Sequence, residues 1–223
     1  MSAPATHPLP GTIPDLEFAV EAAASLEPAA SPTLEFTLRI DAPGGQQIRA
    51  ILLDIQFQIA ARQRAYAPAE QERLLELFGD PGRWGSTLRT LPWVRTTVVV
   101  PPFERTTTVP VTVPCTYDLE VAGARYLAAL RDGEVPLELL FSGSVFFATP
   151  QGALQTTRIS WNRETTYRLP VSVWRRAMDR HFHGSAWLRL GAGSYERLCA
   201  YKARGAFATW DAAVDALLEE AQA

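Results

Sequence analysis

The chain has 223 residues, 47% of them hydrophobic and 20% charged, with a net charge of −3. A chain of this size can bury roughly 70% of its unfolded surface, so a core needs no disulfide or metal to hold it. The composition excludes a disordered chain, and the slight acidity argues against a protein built to coat nucleic acid or an anionic membrane.

Lys202 is the only lysine among 21 basic residues, and Asn162 is the only asparagine. That bias follows GC-rich codon usage and is not read as phosphate recognition. No apolar run is long enough to span a bilayer. The stretch from Met1 to Pro14 has neither the basic start nor the apolar centre of a secretory signal, and its four prolines mark a loose tail. Cys115 and Cys199 are far apart, so reduced thiols and a cytoplasmic protein are the expectation. The organisation expected is a flexible tail over 1–14 and a single domain over 15–223.

In chain order, Leu16, Phe18 and Val20 alternate with polar or small residues, as do Leu34, Phe36, Leu38 and Ile40. Ile51, Leu53, Ile55, Phe57 and Ile59 repeat the pattern over a longer segment. This period of two predicts antiparallel strands with one face on a core. Pro68 opens a helix with Glu70 and Glu72 in its first turn, an apolar stripe of Leu74, Leu75 and Phe78, and Gly79 as its stop. Trp93–Val100 and Thr106–Val113 are β-branched runs, and Pro110 and Pro114 place the second at a sheet edge or corner. A short helix over Ala124–Arg131 precedes a long apolar strand, Val135–Phe147, with Gly143 as a bulge. A hairpin then leads to a strand over Leu154–Trp161, and Tyr167–Leu169 closes the β-rich part, 15–169.

From Pro170 the period changes to that of helices. Trp174, Met178, His181 and Phe182 share one face, and Tyr195, Leu198, Cys199 and Lys202 another. Thr209 caps a last helix whose Trp210, Val214, Leu217 and Leu218 face inward. The fold class expected is α+β: a β-dominated antiparallel sandwich or curved sheet, with a helical third over 170–223 packed on it.

No phosphate-binding glycine loop, nucleophile elbow or metal-ligand spacing occurs. His181 and His183 lie about 200° apart on a helix and lack neighbouring ligands, so a helix-end contact with terminal carbonyls is the expectation rather than a metal. Cys115 carries no thiol-enzyme signature and reads as a buried structural thiol. Arg175, Arg176 and Arg180 form a short basic helical face. In Asp80-Pro81-Gly82-Arg83-Trp84-Gly85, turn chemistry surrounds an arginine and a tryptophan, residue types that anchor protein contacts. Arg83, Trp84, Arg175, Arg176 and Arg180 are therefore the candidate interface, with no catalytic, cofactor or metal residue assigned.

Several stretches carry a resemblance. Phe78-Gly79 with Arg83-Trp84-Gly85, Pro114-Cys115-Thr116-Tyr117-Asp118, Gly133-Glu134-Val135-Pro136-Leu137, Phe141-Ser142-Gly143, Trp161, Pro170-Val171 and Trp174 resemble an uncharacterised bacterial family of this length. The resemblance runs from Phe18 to Leu218. Genes of that family lie near those of oxygen-tolerant uptake nickel–iron hydrogenases, which implies an accessory or assembly role beside hydrogenase subunits or maturation factors. The chain lacks the Cys-x-x-Cys pairs of a redox subunit. The function expected is that of a non-enzymatic accessory or interaction protein without cofactor, nucleic acid or membrane insertion, with self-association left open. The alternative is a small-molecule or lipid-binding sandwich with a mouth lined by Trp84, Phe103 and Tyr117.

Overall fold

A computed structural model describes residues 13–222 apart from 117, 119, 120, 150, 184 and 186–188. Most of the expected tail lies outside the described residues. The chain divides into two compact units, Met1–Ala186 and Trp187–Ala223.

The first unit is an antiparallel sandwich. One sheet is β1 (Glu17–Ser25), β2 (Thr33–Asp41) and β5 (Thr106–Pro114), in that order. The other runs β4 (Leu91–Val100), β3 (Ile48–Ile59), β6 (Glu134–Ala148), and then both β7 (Leu154–Arg158) and β8 (Glu164–Pro170) along the far side of β6. The period-two residues of β2 and β3 (Leu34, Phe36, Leu38 and Ile40; Ile51, Leu53, Ile55, Phe57 and Ile59) are the inward faces and are buried. Phe36 of β2 meets Phe57 of β3 with ring centres 5.0 Å apart, and Phe18 stacks on Phe141 at 4.2 Å, so aromatic pairs bridge the layers. Although β3 follows β2 in sequence, it belongs to the opposite sheet. Pro110 and Pro114 do lie in an edge strand, β5, where missing donors leave no broken ladder.

The outward face of the larger sheet is mixed. Asp54 accepts from the Thr97 hydroxyl at 2.6 Å and from Arg95 at 3.3 Å, and the Thr97 bond leads in holding its carboxyl below the ordinary range. Leu52 and Val99 face one another across β3 and β4 and stay exposed.

Helix α1 (Pro68–Phe78) starts with proline at its first turn and stops at Gly79, whose φ of 71° suits glycine. Its buried face corrects the sequence pattern: Leu75 is 45% exposed, whereas Glu70 is 2% exposed. The Glu70 carboxylate accepts from Arg64 at 2.8 Å, from the Arg131 backbone N–H at 2.9 Å and from that of Ala67 at 3.2 Å. Three donors, two from the link before α1 and one from the link that enters β6, explain why a carboxylate takes an inward position. A four-residue helix α2 (Trp84–Thr87) and α3 (Ala122–Ala129) complete this side, and the Tyr126 hydroxyl lies 2.8 Å from that of Tyr66.

Gly143 is not a bulge against β3, since Leu53 pairs with it in register. Its φ is 135°, and a Cβ there would meet the Leu52 carbonyl oxygen at 2.0 Å, so the close approach of β3 requires glycine. Helix α4 (Val171–Phe182) buries Val171, Trp174, Ala177 and Met178 and belongs to the first unit.

The second unit contains α5 (Ala192–Arg204) and α6 (Trp210–Gln222). Thr209 caps α6 as its sequence predicts, its hydroxyl accepting from the Ala212 N–H at 3.1 Å. The expected inward face of α6 is corrected: Trp210, Val214 and Leu218 are 42%, 40% and 55% exposed, and Ala213 alone among the described residues of either helix is buried.

Candidate functional site

The turn at Asp80–Gly85 folds its two anchor residues in opposite directions. The Asp80 carboxylate accepts from the Gly82 N–H at 2.9 Å and nucleates a 3₁₀ turn over Pro81–Arg83. Arg83 stays exposed. Trp84, expected to be presented, is 6% exposed: its ring packs edge-on against Tyr66 and Phe78, with centres 5.3 and 5.8 Å away. Its Nε1 donates to the Gly79 carbonyl at 2.9 Å, so burial leaves no polar atom unpaired. Trp84 is a core anchor, and that corrects its place in the candidate interface.

On α4 the three arginines have different fates. Arg175 is half-buried and donates to the Leu130 carbonyl at 2.6 Å. Arg180 pairs with Glu27 of the β1–β2 loop, and Arg176 is exposed on the same helix. Together with Ser172, Asp179 and His183 they line a wide, shallow cleft. His181 lies with Nδ1 2.9 Å from the Ala177 carbonyl one turn back in its own helix and Nε2 3.1 Å from the Ala29 carbonyl of the β1–β2 loop, rather than on the terminal carbonyls of α4.

Cys115 is buried, and that burial pushes its thiol up to about 12, with only partial opposition from the Leu34 backbone bond. The neutral thiol is the form the fold favours. Because the folded value exceeds the ordinary 9.0, the stabilisation is complete below pH 9 and is lost as pH rises toward 12. The loss expected is on the order of 4 kcal/mol, read as a steeper fall in denaturant stability over that window than in Cys115→Ala. Modification of Cys115 by a thiol reagent at neutral pH should be slow. The cavity beside it, walled by Trp93, Trp174, Leu127 and Val94, holds about 140 Å³, below the ~300 Å³ of a typical ligand site. Trp84 packs on Tyr66 and does not line this cavity, Phe103 bridges to Ile48 at the β4–β5 link, and Tyr117 lies outside the described residues. Among the described residues no group of three or more His, Cys, Asp or Glu side chains is placed to hold a metal ion, and no helix is long and apolar enough to cross a membrane.

The residue that sequence reasoning missed is Trp161. The expected strand Leu154–Trp161 ends at Arg158, because the partner of β6 is interrupted there. Ser144 pairs with Arg158 and Leu140 with Glu164, so five edge residues, 159–163, face three of β6. The ladder is kept at both ends, by Ile159 N–H to the Gly143 carbonyl at 3.1 Å and Phe141 N–H to the Arg163 carbonyl at 2.9 Å. The two extra residues form a turn closed by the Arg163 N–H on the Ser160 carbonyl, and the Ser160 hydroxyl donates to Asn162 at 2.7 Å. Trp161 sits at the tip of that turn, 92% exposed. Beside it opens a groove of about 270 Å³ with apolar walls from Ile13, Pro14, Val145 and Ile159 and a polar rim of Arg158 and Arg163. Arg163 is held by Asp15. The signal in sequence was the turn-forming Ser160 and Asn162 on either side of the tryptophan.

Residues 13–223 match the profile of the Family of unknown function (DUF6084). The chain belongs to that family. No curated protein matches this DUF6084 chain. Solved structures with distant similarity include the ApaA protein of Bordetella pertussis, 14% identical over 72% of this chain and 98% of that one, with a TM-score of 0.29. A β-glucosidase of Kluyveromyces marxianus is 9% identical over 70% of this chain and 15% of that one, at a TM-score of 0.24. OgpA of Akkermansia muciniphila is 12% identical over 70% and 30% of the respective chains, at 0.22. At such scores none of them bears on the activity of the DUF6084 chain.

Proposed function

We propose that this DUF6084 chain is a non-catalytic, cytoplasmic accessory protein that works by binding another protein, with the Trp161 turn as its anchor. The carrying observation is a tryptophan 92% exposed on a hydrogen-bonded turn that interrupts a sheet edge. An indole buries about 150–250 Å² when covered, a gross gain of about 4–6 kcal/mol at 25 cal/mol/Å². Left in water it contributes nothing to the fold. On a turn fixed by backbone bonds, it meets a partner with little ordering entropy still to lose. The groove beside it, with two arginines on its rim, supplies the mixed apolar and charged setting in which tryptophan and arginine act as contact anchors. The exposed Arg176 and Arg83 are secondary contacts in this reading.

The family resemblance supplies the partner class: a nickel–iron hydrogenase subunit or one of its maturation factors. The test is affinity capture of the tagged chain from a host that expresses the hydrogenase, beside a Trp161→Ala variant. A hydrogenase protein retained by the wild type and lost with the variant is the expected result. Equal retention by both chains, or retention of no hydrogenase protein by either, removes the support for this assignment.

A further inference from the structure

Elements of the first unit meet around the pocket beside Cys115 without filling it. Trp93 and Val94 of β4 form one wall, Ala124 and Leu127 of α3 a second, and Trp174 of α4 a third. The space they leave is about 140 Å³. Each wall is fixed by contacts of its own, so the space is not free to close. Trp93 lies against Gly123, where an added Cβ would come within 2.9 Å of its Cδ1, and it stands edge-on to Phe36 and Phe57 at 6.4 and 6.1 Å. Arg175, the neighbour of Trp174, ties α4 to the end of α3 through its 2.6 Å bond to the Leu130 carbonyl. The Cys115 N–H donates to the Pro32 carbonyl at 2.8 Å. A void with fixed walls forfeits the dispersion contacts of a filled core, and an occupant of the right size regains them.

The lining defines the occupant. It contains no charged side chain. Beyond the two indole N–H groups, its side-chain polarity is one thiol and one hydroxyl. The Cys115 thiol is buried and donates weakly to the Val113 carbonyl at 3.8 Å, and the Thr116 hydroxyl accepts from the Asp118 N–H at 3.0 Å. An ion would give up its hydration there without replacement. The pocket is too small for a drug-sized ligand. It has the size of a small apolar ring, since a cavity of about 150 Å³ lined by Leu, Ile and Phe takes up benzene or xenon. A way in exists, because Pro114, Thr116 and Val121 also line the pocket and are exposed. We infer that this pocket binds a small apolar molecule of about benzene size, which enters between the end of β5 and the start of α3.

The test is a titration of the full chain with benzene, followed through the indole N–H signals of its six tryptophans by NMR. The Trp93 and Trp174 signals should shift together and saturate with a Kd of about 1 mM. Those of Trp161 and Trp210, exposed side chains that do not line the pocket, should stay in place. Benzene at about ten times that Kd should raise Tm by about 3–6 °C. N-methylpyridinium, of similar size but charged, should do neither. Ala124→Leu fills the pocket from α3 and should abolish both effects of benzene. Trp161→Ala should leave both unchanged, so this pocket and the contact anchor fail separately. A wild type whose Trp93 and Trp174 signals show no saturable shift overturns the inference, whatever the variants do. A response centred on Trp161, or one that persists undiminished in Ala124→Leu, overturns it equally.

Discussion

Trp84→Ala is expected to lower the stability of the chain by about 3–5 kcal/mol, a fall in Tm of roughly 6–20 °C for a protein of this size. The substitution removes an indole that packs on Tyr66 and Phe78, and it leaves the Gly79 carbonyl without its donor. Trp84→Phe keeps much of the ring packing and loses the Nε1 bond, so its loss should be smaller, about 1–2 kcal/mol. Thermal or urea unfolding of the two variants measures both. An unchanged Tm for Trp84→Ala would place the side chain at the surface and contradict the core assignment.

Glu70→Ala should be comparably damaging. The carboxylate is 2% exposed and collects Arg64 together with the backbone donors of Arg131 and Ala67. Arg64 is itself only 9% exposed and also donates to the Glu134 and Asp132 carbonyls, so its charge cannot swing into water when its partner is lost. Removing one member of such a buried pair costs about 3–5 kcal/mol, because the other charge stays buried and uncompensated. Glu70→Gln keeps an acceptor and the shape and should lose less. Urea unfolding with an unchanged slope isolates the stability term. A loss below about 1 kcal/mol in Glu70→Ala would mean that the cluster relaxes into solvent.

Much of the sandwich is legible in the sequence, because a half-buried strand writes its geometry at period two. Leu34–Ile40 and Ile51–Ile59 are inward faces for that reason. Local backbone chemistry is equally legible: Pro68 and Gly79 bound α1, and Thr209 caps α6. What the sequence does not carry is pairing at long range. That β3 leaves the sheet of β1 and β2, and that β6 takes two successive partners on one side, depends on contacts between segments far apart in the chain. The interruption at 159–163 is a consequence of that second fact, which is why Trp161 reads as the end of a strand and is found at a turn. Periodicity also assigns faces by hydrophobicity alone. It therefore places Leu75 inward with Leu74 and Phe78, whereas Leu75 is exposed and three converging donors draw Glu70 inward. Trp84 fails in the opposite sense: its glycine-rich surroundings suggest display, but the ring folds back onto α1. Of the candidate interface, Arg83, Arg176 and Arg180 are exposed, with Arg180 tied to Glu27, and Arg175 is turned toward the Leu130 carbonyl.

In the proposed function Trp161 is spared from the fold and used for contact. That role is tested most directly by one variant read two ways: the Kd of Trp161→Ala for the captured partner, and its Tm. The Kd is expected to rise about thirtyfold or more with a Tm unchanged from wild type, since a side chain 92% exposed has little packing to lose. An unchanged Kd, or a Tm lowered as far as that of Trp84→Ala, would contradict it.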